Sequence, residues 1–264
     1  MELIEIKDIS FSYDKKLVLD DISISVKKGE VLGILGPNGC GKTTLLKHIN
    51  RNLSPEVGCV TIEDTDLQNI TKREIAKKIA VVPQTNEIHF SFTVRDIVGM
   101  GRMPFMEQFR GETTKDVEIV ETAMKKARVI GLADRYVNTM SGGERQRMII
   151  ARALAQTPEV MLLDEPTLHL DISNQIEALE LVKKLSREDG LTVIIVSHDL
   201  SMVAKYCDRI MMIYDHKMLI IGTPEEVLTS ENMRKVFSID AVFEYDQTLG
   251  CNSVKIKGSV MDSE

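Results

Sequence analysis

Val31-Leu32-Gly33-Ile34-Leu35 runs directly into Gly36-Pro37-Asn38-Gly39-Cys40-Gly41-Lys42-Thr43. No other stretch limits the possible folds as tightly. The nearly continuous apolar run suits a strand buried on both faces, as in the middle of a parallel sheet. The segment after it matches G-x-x-x-x-G-K-[ST], and Leu45, Leu46 and Ile49 then fall at helix spacing. In a strand–loop–helix of this kind the glycines let backbone N–H groups turn inward around phosphate oxygens. The helix start aims its positive end at the anion. Lys42 adds a point charge for β and γ phosphates, and the Thr43 hydroxyl can ligate magnesium. A plain glycine-rich turn would match the pattern too, but the flanking strand and helix favour phosphate binding. The loop alone leaves kinases, GTPases and motors open.

The rest of the chain reads as a parallel sheet with an insertion. Leu3-Ile4-Glu5-Ile6, Leu17-Val18-Leu19 and Ile22 to Val26 alternate like half-buried strands. Val81-Val82 begins a buried strand ending at Pro83-Gln84. From Asn86 to Thr157 the pattern is helical, with Val117, Val120, Met124 and Ala127 on one face. Val160 to Leu163 and Val193 to Val196 are two further buried strands, separated by a helix carrying Ile176, Leu179, Leu181 and Val182. Ile210 to Ile221 reads as a hairpin turning at Asp215-His216. Thr223-Pro224-Glu225-Glu226 then opens a helix with a threonine cap. At 264 residues, 43% hydrophobic and 28% charged, the chain can build a sizeable core.

Two acids end a strand. Val160-Met161-Leu162-Leu163 leads into Asp164-Glu165, placing Asp164 for a magnesium shell and Glu165, one residue on, for an attacking water. Solvated turn acids would explain the pair alone, but not its place after four apolar residues in a chain with a phosphate loop. Val196-Ser197-His198-Asp199 ends the next strand. His198 therefore sits at a carboxyl end, where open α/β sheets place ligands. It can touch a γ phosphate and orient the water or Glu165. His48, His89, His169 and His216 lack that setting and are read as structural. Gln84, just past its strand, can reach magnesium or water. Met140-Ser141-Gly142-Gly143-Glu144 opens a helix. Ser141 and Glu144 form a capping box there, and Ser-Gly-Gly leaves N–H groups available to an anion.

Together these residues resemble the ATP-binding-cassette family, over nearly the whole chain. Its elements appear in order: Tyr13 for adenine stacking, the loop at 36–43, Gln84, the signature at 140–144, Asp164-Glu165, a D-loop at Leu168-His169-Leu170-Asp171, and His198. Met140 stands where leucine is usual. The resemblance implies an α/β fold. It has a P-loop NTPase core with a parallel central sheet, an N-terminal antiparallel β subdomain and an inserted helical subdomain. The expected division is one nucleotide-binding domain over 1–264. Its core and β subdomain take 1–85 and 158–222, the helical subdomain 86–157 and a short extension 223–264. ATP is expected on Tyr13 and on Gly36, Pro37, Asn38, Gly39, Cys40, Gly41, Lys42, Thr43 and Thr44. Magnesium falls to Thr43, Gln84 and Asp164, and catalysis to Glu165, His198 and Gln84. Two copies would pack head to tail, each ATP touching one copy's Lys42 loop and the other's Ser141, Gly142, Gly143 and Glu144. Asp171 closes the D-loop.

Ser91 to Val98, with Gly101-Arg102-Met103-Pro104-Phe105 and Leu170 to Gln175, resembles more narrowly the ATPases of iron-siderophore, haem and cobalamin importers. That implies permease subunits spanning the membrane as separate chains, an indirectly coupled substrate-binding protein, and a place at the cytoplasmic face of the membrane. The Gln84–Phe105 stretch is expected to dock the permease, with Met100, Met103 and Met106 as adaptable apolar surface. A soluble assembly ATPase of the iron–sulfur type, or an exporter motor, is the alternative. No apolar run nears the ~20 residues that cross a bilayer. No basic run points to nucleic acid, and the net charge is −7. The cysteines, Cys40, Cys59, Cys207 and Cys251, show no C-x-x-C spacing. Cys40 lies inside the loop beside Lys42 and a helix start, so a reactive thiol protected by Mg-ATP is expected. The opposite outcome is a sulfur turned inward and inert.

Overall fold

The computed structural model describes residues 1–84, 91–106, 111–247 and 251–260. The chain begins with β1 (Glu2–Tyr13) and β2 (Lys16–Lys27), paired antiparallel, then β3 (Val31–Leu35) and α1 (Lys42–Ile49). β4 (Val57–Ile62) and β5 (Thr65–Asp66) follow, then α2 (Lys72–Lys78) and β6 (Ile79–Val82). Next come α3 (Val94–Gly99), a 3-10 segment (Met100–Phe105), α4 (Thr114–Lys126) and α5 (Gly142–Ala155). β7 (Val160–Asp164), α6 (Ile172–Asp189), β8 (Thr192–Val196) and α7 (Leu200–Tyr206) return to the sheet. β9 (Arg209–Tyr214) and β10 (Lys217–Gly222) form the expected hairpin. The chain closes with α8 (Pro224–Val227), α9 (Ser230–Phe237) and a second hairpin, β11 (Ile239–Asp246) with β12 (Cys251–Ser259).

A six-stranded sheet in the order β10-β9-β3-β8-β7-β6 is the centre. Every pairing from β9 to β6 is parallel; β10 alone runs antiparallel. A four-stranded antiparallel sheet, β2-β1-β4-β5, lies on one face. The apolar runs are continuous because both faces are buried. Val31, Leu35, Met161, Leu163, Val193 and Ile195 point into the core under the helices. Their neighbours Leu32, Ile34, Val160, Leu162, Ile194 and Val196 point into the core under the antiparallel sheet and α1. Alternation along the strand thus feeds two cores from one run.

Capping boxes start α2, α3, α4, α5 and α8, including the two read from sequence at Ser141–Glu144 and Thr223–Glu226. Met140 is buried in the core beneath the helices, so the longer thioether fills the site usual for leucine. The C-terminal hairpin has no counterpart in the sequence reading, which treated 223–264 as a short extension. Ile239, Ala241 and Phe243 alternate inward, and Ala241 is fully buried.

The Gly101-Arg102-x-Pro104 segment is a brace. Arg102 is buried; its Nε donates to Asp116 Oδ1 at 2.9 Å and its Nη1 to the Ala155 carbonyl at 2.8 Å. Its guanidinium carbon stacks 3.8 Å from the Phe105 ring centre. One side chain so ties the 3-10 segment to α4 and α5. The Thr113 hydroxyl, then Arg102, holds the Asp116 carboxyl down at about 2 from an ordinary 3.8. Removing one partner of a buried pair leaves the other desolvated and uncompensated, so Arg102→Ala should lose roughly 3 kcal/mol of unfolding free energy at neutral pH. A depressed carboxylate stabilises above its unfolded value and stops doing so as pH falls through its folded one. The gap between variant and wild type in urea titrations should therefore narrow between pH 3.8 and about 2.

Candidate functional site: a strand-edge carboxylate clamp beside a phosphate loop

Strand register assembles the site. Val82 pairs with Leu163, and Asp164 with Val196, which is also level with Ile34. Parallel strands in register deliver their next residues to one edge. Gln84 is two residues past Val82 and Glu165 two past Leu163; Gln84 Nε2 donates to Glu165 Oε2 at 2.8 Å. His198, two past Val196, brings Nε2 into contact with the other oxygen, Oε1. Glu165 leaves β7 in the left-handed region, φ 48°, with its N–H donating to the Val196 carbonyl at 3.0 Å. That turn swings the carboxylate between Gln84 and His198. A cavity of about 140 Å³ opens beside it, lined by Thr167, Leu168, Ser197 and His198 among others.

The phosphate loop sits at the same edge. Gly41, the N-cap of α1, has φ 105°, and a Cβ there would lie 2.6 Å from Val18 O, so only glycine fits. Lys42 is 6% exposed and its Nζ donates to the Gly36 and Pro37 carbonyls, each at 2.9 Å. The ammonium is thus held across the loop mouth. Thr44 is buried beneath it, while Asn38, Gly39 and Thr43 are exposed. Thr43 Oγ1 donates to Asp164 Oδ1 at 3.1 Å. Burial pushes the Asp164 carboxyl up, and the Thr43 bond opposes this. A hydroxyl and a part-buried carboxylate side by side suit a hard cation that takes its remaining oxygens from phosphate and water. Among the described residues no group of three or more His, Cys, Asp or Glu could hold a metal. A site of the Thr43–Asp164 kind therefore fits magnesium brought with a nucleotide better than a protein-built cage. The Gln84 amide is on Glu165, the residue after Asp164. Tyr13 ends β1, is 41% exposed, and stands edge-on to Phe11 with ring centres 4.8 Å apart.

Ser141, Gly142 and Gly143 begin α5 on the helical side. Ser141 and Gly142 are exposed, and the Ser141 Oγ accepts from the Glu144 N–H at 3.3 Å. Leu168, His169, Asp171 and Ile172 are exposed next to them, Leu168 at 42% and Ile172 at 71%. Asp171 caps α6 by accepting from the Asn174 N–H at 2.8 Å. The structure therefore gathers Gln84, Glu165, His198, Thr43 and Asp164 at one edge, with Leu168 and His169 of the D-loop lining the cavity beside Glu165 and the signature turn packed on Leu170 and Asn174.

Three sequence readings need revision or completion. Cys40 is 5% exposed, and burial raises its thiol, outweighing the lowering by Lys42 and by backbone hydrogen bonds. The sulfur points back toward Gly36, since a Cβ on Gly36 would meet it at 2.7 Å. The expectation of a reactive thiolate is corrected: desolvation beats the helix start. His48 is buried, packed edge-on to Phe11, and His216 Nδ1 lies 3.3 Å from the Val18 carbonyl, both as structural residues. His169 is instead exposed at φ 65° in the D-loop. His89 and the start of the helical pattern at Asn86 lie outside the described residues. Phe11, Arg147 and Asn174 also belong to the site's surroundings. Sequence reading passed over them because their contacts cross between elements. The buried thiol gives a direct test. Iodoacetamide on the folded protein, followed by peptide mass spectrometry, should label the part-exposed Cys59 well before Cys40. Early labelling at Cys40 would restore the expectation of a reactive thiol.

The chain's relatives agree with this geometry. The family described as ABC transporter matches residues 19–168. The chain is 35% identical to the iron(3+)-hydroxamate import ATP-binding protein of Bacillus subtilis, covering 91% of this chain and 89% of that one. It is 39% identical to the cobalamin import ATP-binding protein of Halobacterium salinarum over 90% of this chain, but spans only 59% of that protein's length. Among solved structures, an inward-facing ABC transporter assigned to the metal-chelate type superposes with TM-score 0.86 at 27% identity, covering 97% of each chain. With its phosphate loop, strand-end acids and signature helix set out as above, the chain belongs to the ABC transporter family.

Proposed function

We propose that this chain hydrolyses ATP to power import of a metal chelate of the iron-siderophore, haem or cobalamin class through a separate membrane permease. The observation that carries the chemistry is the Glu165 carboxylate, held on one oxygen by Gln84 and on the other by His198. A carboxylate fixed at a strand end beside the Thr43–Asp164 pair is positioned as a general base for the water that attacks the γ phosphate. Lys42 turns from the Gly36 and Pro37 carbonyls to the β and γ phosphates. Tyr13 stacks on the base. Gln84 and His198 fix the direction of the Glu165 lone pairs. Magnesium, bound at Thr43 and Asp164, would neutralise charge on the phosphates. The cargo class is supported by the import proteins named above. Among the described residues no helix is long and apolar enough to cross a membrane.

Each copy carries two half-sites, the loop with its strand-end acids and the signature turn, so a head-to-tail dimer completes both. The exposed Leu168 and Ile172 flank Ser141 and Gly142 and would be covered in that dimer. The working organisation is the division stated above: core, helical subdomain over 86–157, and extension from 223. The permease docks in a groove of about 480 Å³ between α2, β6 and the 3-10 segment, lined by Asn50, Asn52, Ile75, Met100 and Met103 among others. Met103 is 64% exposed and Met100 36%, so these methionines form surface rather than core. The groove's wall includes Ile79 and Val81 of β6, the strand that leads to Gln84. A cytoplasmic loop seated there presses on the strand that sets one arm of the Glu165 clamp.

Two measurements test this reading. Glu165→Gln should keep ATP binding, lose about 10²–10⁴ in turnover, and elute as a dimer with ATP and magnesium. Monomeric elution or undiminished hydrolysis would overturn it. Single cysteines introduced at positions 103–105, beyond the buried Gly101 and Arg102, should crosslink to the permease's cytoplasmic loops in the intact complex. Crosslinks confined to the opposite face would place the docking surface elsewhere.

A further inference from the structure

The signature turn and the D-loop are joined inside one subunit by a side chain that neither motif contains. Asn174 lies in the first turn of α6. Its Nδ2 donates to both Asp171 oxygens, each at 2.9 Å, while its N–H donates to Asp171 Oδ1 at 2.8 Å. Its Oδ1 accepts from Arg147 Nη1 at 3.2 Å, and the same Nη1 donates to Glu177 Oε2 at 2.8 Å. The carboxamide also lies flat on Gly143. A Cβ on Gly143 would fall 1.8 Å from Asn174 Oδ1 and 2.1 Å from its Cγ. The second signature glycine is therefore needed for closeness to Asn174 and not only for exposing N–H groups. Two smaller contacts run the same way. A Cβ on Gly142 would touch Leu170 at 3.6 Å, and Gln175 Nε2 donates to the Thr167 and Leu170 carbonyls at 3.3 and 3.0 Å.

We infer that Asn174 is a positioning residue: it locks the signature turn to the D-loop, so that the two elements a subunit offers to the opposite subunit's ATP move as one body. The inference rests on the head-to-tail reading above. A carboxamide suits the place because it offers an acceptor to the Arg147 guanidinium and a donor to the Asp171 carboxylate at once. Aspartate would keep the shape and the acceptor but set a like charge against Asp171. The lock also has a direction. The D-loop starts three residues after Glu165. The acid serving a subunit's own ATP is thereby tied, through Leu168 to Asp171 and then Asn174, to the turn that faces the other ATP.

Heterodimers separate positioning from folding. One subunit carries Lys42→Ala and contributes only its signature to the remaining competent sandwich; the other keeps its loop, and both carry Glu165→Gln to prevent turnover. Differently tagged subunits are mixed, and ATP-dependent association is measured with Asn174→Asp placed in one subunit or the other. In the Lys42→Ala subunit, the substitution should raise the ATP concentration for half-maximal association about tenfold, the scale of a lost charge-assisted hydrogen bond. In the loop-bearing subunit the change should stay under about twofold. Asn174→Ala, which adds no charge, should show the same asymmetry. A general folding role would weaken both placements equally, and that result, or no effect in either, overturns the lock. Failure of the parental pair to associate with ATP overturns the head-to-tail reading itself, and the lock with it.

Discussion

In-register parallel pairing of strands buried on both faces is the constraint on which the chemistry depends. Asp164, Val196 and Ile34 lie level across three neighbouring strands, and Val82 lies level with Leu163. Gly36, Gln84, Glu165 and His198 each lie one or two residues beyond that line. A slip of one residue in β7 would send its alternating side chains to the wrong cores and turn Glu165 away from Gln84. Because Leu162 and Leu163 are fully buried on opposite faces, such a slip would cost far more than the polar contacts it rearranged. The apolar cores, not the polar groups, hold the clamp at its 2.8 Å spacing.

The same reasoning explains which parts were legible in the sequence. Gly36 to Thr43, Asp164-Glu165 and His198 were readable because each follows a recognisable apolar strand, so order along the chain predicts position at the edge. The capping boxes at Ser141 and Thr223 were readable because their partners are three residues apart. The Arg102–Asp116 pair spans 14 residues and the Arg147–Asn174 bond 27, and no local pattern announces either. The C-terminal hairpin was missed for another reason. Its strands carry polar residues on the exposed face, and Lys255, Lys257 and Gly258 disguise the alternation of β12.

Cys40 shows two physical effects in competition. The helix start and Lys42 favour a thiolate, and both are real neighbours in the structure. The loop nevertheless turns the sulfur inward, where desolvation outweighs them, and the thiol is raised. Motif position gave the sign of the field but not the direction of the side chain. The Cys40 N–H is itself bonded within the loop, to the Pro37 carbonyl at 3.4 Å. An inward sulfur at position 40 follows from the same geometry that makes the loop a cradle.

Glu165 presents the complementary case, in which strain is tolerated for geometry. A glutamate at φ 48° occupies a region that costs non-glycine residues of order 1 kcal/mol or more. An extended conformation would continue β7 and leave the carboxylate pointing along the sheet. The left-handed turn instead sends the backbone away into Pro166 and Thr167 and swings the side chain across the strand ends. The Glu165 N–H to Val196 carbonyl bond anchors that turn to β8, whose next residues carry His198. One residue so fixes the carboxylate between Gln84 and His198 and launches the 168–171 loop. A clamped carboxylate and an exposed loop that share one strained turn respond to the same displacement. In the head-to-tail dimer proposed above, that would make the 165–171 segment the connection between a subunit's own nucleotide and its neighbour's.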